Sequence, residues 1–194
     1  MAEEVLSKER ILDTTEAILR KFGPAKTNMS DIARALGVTH AALYRLYDNK
    51  AALKEAVVER WLERSLPPLQ AVVEEAAPAA DKLYRWLDTL RRFKRSRASQ
   101  DPELFEMYSS LVTEAPEAIQ VHRNHLLDQL ATMIKDGIKE GAIAKQEART
   151  TAMAVFMATT PFHHVAHSAE WELPDGDQRF DAVWHLISNG LLTR

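Results

Sequence analysis

Histidines near the carboxyl-terminal end of the chain are the residues best suited to bind a metal. In the segment TTPFHHVAHSAE, His163, His167 and Glu170 are spaced i, i+4 and i+7, which places them on one face of a continuous helix. His122 and His125 form a second pair at i, i+3. Because imidazole and carboxylate groups coordinate zinc and other divalent metals, the pattern makes His163, His167 and Glu170 a candidate metal site.

A structural role for the same histidines is the alternative, since Pro161 would kink the helix and change their relative direction. They would then form a hydrogen-bonded polar patch. The sequence contains no nucleophile elbow, phosphate-binding loop or HExxH motif, so the histidines are also the only basis for a metal-dependent enzyme. We expect no enzyme activity and no obligatory cofactor, with a divalent metal as the one candidate.

Composition indicates a globular chain that does not enter a membrane. Of 194 residues, 46% are hydrophobic and 27% are charged, and the absence of cysteine excludes disulfides and thiol chemistry. The acidic start Met1–Glu4 does not resemble a secretory signal, and no apolar run reaches the ~18 residues of a membrane span. We therefore expect a cytoplasmic protein.

Charge is distributed unevenly along the chain. The net charge is −3, yet residues 1–60 hold ten Lys or Arg against nine Asp or Glu. A weakly positive amino-terminal part on an acidic remainder fits a protein that contacts DNA with one end only. The basic run Arg91–Arg97 indicates either a solvated helix end or an auxiliary phosphate contact.

Helical periodicity dominates every segment and predicts an all-α fold. The first helix ends at Gly23-Pro24, and the fourth runs from about Asn49 to Arg64, after which Pro67-Pro68 interrupts the chain. Later helices are predicted at these ranges: 79–97, 102–113, 116–140, 146–169 and 177–192. We divide the chain into an amino-terminal three-helix helix-turn-helix domain, residues 1–52, and a helical ligand-binding and dimerisation domain, residues 53–194.

Residues Ser30–Tyr47, SDIARALGVTHAALYRLY, have the pattern of a helix-turn-helix. Asn28 can cap the first of the two helices, and Thr39 the second. Gly37 between them can adopt the left-handed conformation that the turn requires. This arrangement leaves His40, Ala41, Tyr44 and Arg45 on the outward face of the second helix.

From Ile11 to Leu53 the chain resembles the amino-terminal domain of the TetR family of bacterial transcriptional regulators. The segments ILDTTEAILRKFG and KTNMSDIARALGVTHAALYRLYDNKAAL carry the resemblance, which extends without gaps over about a quarter of the chain. It implies a homodimer that binds a palindromic double-stranded DNA operator. It also implies a repressor whose body binds a small-molecule inducer of unknown identity.

The resemblance assigns DNA contacts residue by residue. Bases in the major groove would be read from the second helix, and phosphates would be bound by the residues around it. The implied contact residues are Thr27, Asn28, Thr39, His40, Ala41, Tyr44 and Lys50. For Tyr44 and Lys50 the alternative roles are a partly buried aromatic ring and a solvated charge.

The resemblance also assigns the dimer interface and the ligand cavity to the body. The last two helices would pair with their symmetry mates through two apolar stripes: Ala148, Ala152, Val155, Phe156 and Thr159 on one, and Phe180, Val183, Trp184, Ile187 and Leu191 on the other. Both stripes could instead pack within their own chain. Aromatic, methionine and polar side chains suit a cavity for an apolar molecule with a polar group. The candidates are Tyr84, Trp86, Phe105, Met107, Tyr108, His122, His125, Leu126, Met133, Phe156 and His163.

The sequence therefore predicts a ligand-responsive DNA-binding regulator. A DNA-binding architectural protein of the same fold, without an inducer, is the main alternative.

Overall fold

A computed structural model gives the fold, which is all-α as predicted. It describes residues 6–114 and 116–193, with side chains for all of these except 113, 114 and 116–118; the acidic start Met1–Glu4 lies outside the described residues. Ten α-helices occur in these ranges: α1 Lys8–Phe22, α2 Met29–Leu36, α3 His40–Tyr44, α4 Lys50–Glu63, α5 Leu66–Glu74, α6 Ala79–Gln100, α7 Pro102–Glu114, α8 Pro116–Lys139, α9 Ala148–Ala158 and α10 Gly176–Leu191. None of the helices within the described ranges is long and apolar enough to cross a membrane.

The chain forms two compact units that do not coincide with the predicted domains. The first unit comprises residues up to 62 together with 100–119, and the second comprises 63–99 together with 120–194. The division therefore differs from the predicted boundary between residues 52 and 53. The reason is that α4 and the distant α7 complete the core of the first unit, where Trp61 packs on Tyr108 with ring centroids 5.7 Å apart.

Side-chain caps define the short helices of the first unit. Asn28 Oδ1 accepts a hydrogen bond from the amide of Asp31 at 2.9 Å, and Thr39 Oγ1 accepts one from Ala42 at 3.2 Å. Gly37, between α2 and α3, has φ +68°, in the left-handed region that other residues enter at a cost. These contacts confirm the local basis of the helix-turn-helix.

A buried carboxylate connects α1 to α4. Glu16 is only 3% exposed, and its oxygens accept hydrogen bonds from Arg60 at 2.6 Å and from Arg20 at 3.0 Å. Arg20 also donates to Asp101, the residue before α7, at 2.7 Å. Because a buried charge is costly unless it is paired, this network fixes how the helices of the first unit pack.

We predicted that Pro67-Pro68 would interrupt the helical structure, and this prediction is wrong. Leu66, Pro67 and Pro68 form the first turn of α5, which continues to Glu74. Proline is tolerated there because amides in the first turn have no helical partner. The dipeptide therefore marks the beginning of a helix that sequence analysis missed.

The predicted helix over residues 146–169 is also wrong in its second half. α9 ends at Ala158, and two 3₁₀ segments follow, Thr160–Phe162 and Val165–Glu170. Pro161 lies within the first of them and cannot donate the backbone hydrogen bond that would continue α9. The α-helical phase is consequently lost before the histidines begin.

The second unit has its own core and a close approach at a glycine. Trp86, Leu130 and Phe180 are among the buried side chains of α6, α8 and α10. A Cβ placed on Gly137 of α8 would lie 2.9 Å from the Cβ of Ala79 and 2.6 Å from Cδ1 of Ile143. The lack of a side chain at Gly137 therefore permits this packing.

Gly137→Ala is expected to destabilise the protein by about 1–3 kcal/mol, because the methyl group overpacks a filled core and outweighs the gain in helix propensity. Urea denaturation measures this change. Gly176→Ala is the matched control, since its Cβ would be 3.9 Å from the nearest atom, and should change little. Equal stability of the two variants would contradict the close packing at Gly137.

Candidate nucleic-acid interface and effector site

The exposed face of α3 is the candidate surface for DNA bases. Thr39, His40, Ala41 and Tyr44 are all exposed, whereas Leu43 on the opposite side is fully buried. The His40 and Tyr44 rings lie 4.8 Å apart, and His40 Nε2 is 3.4 Å from the hydroxyl of Ser30. A short helix with a polar outer face and an anchored inner face can be inserted into a major groove.

Lys50 provides a cation beside this face. It is exposed at the first residue of α4, and the amide of Ala52 donates to the preceding Asn49 side chain at 2.8 Å. Asn28 is exposed at the start of α2 and donates from Nδ2 to Asp31 at 2.6 Å. A lysine beside a helix amino terminus suits a phosphate.

Thr27 does not fit the role that the resemblance implied. Its side chain is only 4% exposed, and its hydroxyl donates to the carbonyl of Gly23 at 2.9 Å. The hydroxyl therefore stabilises the turn after α1 and does not face a phosphate. The remaining predicted DNA residues are all exposed.

Six of the ten residues in the apolar stripes predicted for the dimer interface are buried within their own chain. Ala152, Val155, Phe180 and Leu191 are buried in the core of the second unit. The exposed apolar side chains on α9 and α10 are different ones: Met153, Met157 and Leu186. Leu186 is 74% exposed, which is unusual for a leucine in a folded chain, and it identifies the outward face of α10.

The predicted cavity residues are divided between the two units. Phe105, Met107 and Tyr108 belong to the first unit. In the second unit Trp86 is buried and donates to Gln129 at 2.9 Å, Leu126 and Met133 belong to the core, and Tyr84 donates to Asp181 at 2.9 Å. His125 is exposed. The predicted cavity residues therefore belong to two different units, and a common cavity stays a prediction.

The buried titratable groups of the second unit include Lys94, His122 and His163, which are 3%, 6% and 4% exposed. Burial lowers the pKa of Lys94 to about 7. Burial and then the nearby charge of Lys94 lower the pKa of His122 to about 2 and that of His163 to about 3. Both imidazoles are therefore neutral at physiological pH.

Hydrogen bonding distinguishes His163 from His122. His163 Nε2 lies 3.3 Å from the carbonyl oxygen of Phe156 and 3.3 Å from the hydroxyl of Thr159, with the Phe156 ring 4.5 Å away. Both ring nitrogens of His122 are buried, and neither has a hydrogen-bond partner among the residues that the structure describes. Because buried polar groups are normally hydrogen-bonded, His122 is a candidate for contact with a polar group of a ligand.

Lys94 was missed because the sequence placed it in the basic run Arg91–Arg97. The run lies within α6, whose arginines extend to carboxylates: Arg91 to Asp88 and Asp177, and Arg95 to Glu172. A lysine within a run of arginines gives no sign of burial. Helical phase relative to Leu87 and Leu90, both buried, was the available signal.

The structure does not bring the predicted metal ligands together. His167 Nδ1 is 3.0 Å from Glu170, which also accepts from Arg179 at 2.7 Å, whereas His163 has separate partners. Within the described ranges, no three His, Asp or Glu residues form a group that could hold a metal ion. The loss of helical phase after α9 explains why His163 does not share a face with His167 and Glu170.

Two family models match the chain. Residues 11–57 match the model described as bacterial regulatory proteins, tetR family, and residues 79–184 match that of the tetracyclin repressor-like C-terminal domain. The second match alone covers more than half of the chain.

Individual proteins with similar sequences or folds include a nucleoid occlusion factor, SlmA, from Marinobacter nauticus, which is 25% identical over 95% of each chain. A TetR transcription regulator from Haloarcula marismortui has a similar structure, with TM-score 0.71, 21% identity, and coverage of 96% of this chain and 98% of that chain. The repressor SmeT of a Stenotrophomonas maltophilia multidrug efflux pump has TM-score 0.66 and 18% identity, with coverage of 97% and 91%.

Proposed function

Because the chain belongs to the TetR family of bacterial regulatory proteins and is a DNA-binding transcriptional regulator, we propose that it represses transcription by binding a palindromic operator as a homodimer. A small molecule bound in the second unit releases it. The exposed face of α3 beside Lys50 is the observation that carries the DNA-binding part of this proposal.

The chemistry of that face divides the contacts into two kinds. Lys50 and Tyr44 carry no base-specific pattern and bind phosphates, which positions α3 in the groove. His40 can hydrogen-bond a base edge, and Ala41 can contact a thymine methyl group. Two copies of α3 in a dimer would read half-sites about one DNA turn apart.

Replacing Lys50 with alanine should weaken binding to every duplex, because a phosphate contact carries no sequence information, and should reduce the slope of log K against log salt by about one. Fluorescence anisotropy measures this with a duplex that the wild-type protein selects from a random pool. Lys139→Ala, which removes a 77% exposed lysine of the second unit, is the control. A Lys50 variant with the wild-type salt slope would contradict the phosphate contact.

Replacing His40 with alanine tests base recognition separately. The salt slope should stay unchanged, whereas discrimination at one operator position should fall by about 1–3 kcal/mol. Competition with operators altered one base pair at a time measures the effect.

The homodimer is proposed through the outward faces of α9 and α10. Met153 and Met157 on α9 and Leu186 on α10 are exposed in the single chain, beside exposed small residues such as Ala182 and Gly190. Small residues let helices approach closely, and large apolar ones gain from burial, which suits a four-helix bundle with a second copy.

The effector site is proposed at the buried group Lys94, His122 and His163. His122 offers one donor and one acceptor that no group of the described residues satisfies, so a ligand with a hydroxyl, amide or carboxyl group would be recognised there. Ligand binding would change operator affinity by shifting the equilibrium between two conformations of the dimer, with a coupling of about 1–3 kcal/mol.

A DNA-binding architectural protein without an inducer is the second candidate. The similarity to a nucleoid occlusion factor over 95% of each chain favours it. A thermal-shift screen against a small-molecule library distinguishes the two functions, since only the repressor should be stabilised by a compound that also lowers operator affinity.

A further inference from the structure

A cavity of about 260 Å³ lies within the first unit, apart from the proposed effector site. Its interior is apolar and is formed mainly by Leu19, Ile32, Leu53 and Met107, each 5% exposed or less. The threonines that reach it, Thr15 and Thr27, donate their hydroxyls to backbone carbonyls at 2.7 and 2.9 Å. Most of the cavity wall therefore favours an apolar molecule.

Two lysines one helical turn apart dominate the polar rim. Lys50 and Lys54 lie on the same face of α4, and Lys54 Nζ donates to Ser110 on α7 at 2.5 Å. Within the part of the chain that the structure describes, Lys50 has no hydrogen-bond or ion-pair partner. The carboxylate of Glu106 lies at the same cavity as the two ammonium groups.

We propose that this cavity binds a small apolar carboxylic acid, whose ring or chain fills the apolar interior while its carboxylate pairs with Lys50 and Lys54. At about 30 Å³ per liquid water, the volume equals that of about nine water molecules, which is enough room for a small aromatic acid such as benzoate. A carboxylate between two lysines gains charge-assisted hydrogen bonds that the corresponding amide cannot form.

The acid would compete with DNA directly. Lys50 is the residue that the proposed function assigns to an operator phosphate, so one ammonium group serves either the carboxylate or the phosphate. This step rests on the proposed function, whereas binding of the acid itself does not. Regulation of this kind needs no conformational change between units.

Calorimetry of the full chain without DNA tests the site with benzoate and with benzamide, which has the same shape and no charge. Benzoate should bind at least about tenfold more tightly than benzamide. Lys54→Met should remove most of this preference, and Ser110→Leu, which fills the cavity, should abolish binding of both molecules. Equal binding of benzoate and benzamide, undisturbed binding in Ser110→Leu, or no heat at millimolar benzoate would overturn the proposal.

Anisotropy with the selected duplex tests the competition. Benzoate at ten times its Kd should raise the apparent Kd for DNA about 120-fold in the wild-type dimer, because both copies must release the acid before the operator binds. Lys54→Met should bind DNA normally without benzoate and should not respond to it. Benzoate binding with unchanged DNA affinity would overturn the competition. A wild type that binds no DNA would instead overturn the proposed function, while the calorimetric result would stand.

Discussion

Leu186→Glu should convert the protein to monomers and abolish tight operator binding. In the single chain the side chain is 74% exposed, so the carboxylate remains hydrated and the fold is unaffected. In the proposed bundle the same charge would be buried without a partner, at a cost of several kcal/mol, and two-fold symmetry applies this cost to both copies. The dimer Kd should rise by more than about a thousandfold.

Operator affinity should fall when the dimer is lost, because two linked heads bind a palindrome about 10²–10⁴ times more tightly than one. Analytical ultracentrifugation measures the association and anisotropy the DNA affinity, with circular dichroism to verify the fold. Val121→Glu is the matched control, since Val121 is a 52% exposed apolar residue on α8. If Leu186→Glu remained a dimer at micromolar concentration, the interface would have to be elsewhere.

Lys94→Met should raise the free energy of unfolding by a few kcal/mol at pH 7. The ammonium is 3% exposed, and burial lowers its pKa to about 7 from the ordinary 10.5. Since a pKa difference of one unit corresponds to about 1.4 kcal/mol, holding this lysine in the folded interior is costly. Methionine has a similar length and no charge, so it removes that cost.

The pH dependence of this gain has a definite sign. Between pH 7 and 10.5 the unfolded chain binds a proton at Lys94 that the folded chain does not, so wild-type stability is lost as pH falls through this window. The advantage of Lys94→Met should therefore be greatest at pH 7 and below, and should shrink as pH rises towards 10.5.

Urea denaturation of the wild type and Lys94→Met at pH 7 and pH 9.5 measures the difference between their free energies of unfolding. The contributions of all other titrating groups cancel in this difference. Lys139→Met, at a 77% exposed lysine, should show neither the gain nor its pH dependence. A Lys94 variant that is less stable than the wild type at pH 7 would mean that the ammonium stabilises the fold. If Lys94 also binds the effector, the stabilised variant should no longer respond to it.

Local sequence signals were sufficient for the helix-turn-helix. Asn28, Gly37 and Thr39 determine the ends of α2 and α3 through contacts within a few residues, so the pattern predicts both helices. The exposed positions of α3 followed from the same periodicity. Thr27 was the exception, because its hydroxyl is satisfied by a carbonyl four residues earlier, and a motif does not show which partner a hydroxyl takes.

Periodicity could not show which surface each apolar stripe contacts. The stripe of Phe180 and Leu191 is buried against its own chain, and the residue that stands outside it, Leu186, looked unremarkable in the sequence. Lys94 was hidden for the same reason, since burial depends on the helices packed around α6. The end of α9 depended on Pro161. The proline breaks the helical phase locally, but the break also changes the relative directions of His163 and His167, which lie further along the chain.

The way the first unit is assembled determines when it can complete its folding during synthesis. Residues up to 62 hold α1 to α3 and nearly all of α4, but Asp101, which binds Arg20, and Tyr108, which packs on Trp61, are made later. At about 5–20 residues per second, the ribosome needs several seconds to add them. The nascent DNA-binding part should therefore remain incomplete while most of the second unit's α6 is translated. Exchange of operator specificity with a relative would likewise require transfer of two separate segments, since a graft of the amino-terminal residues alone would leave α1 and α4 against a foreign α7.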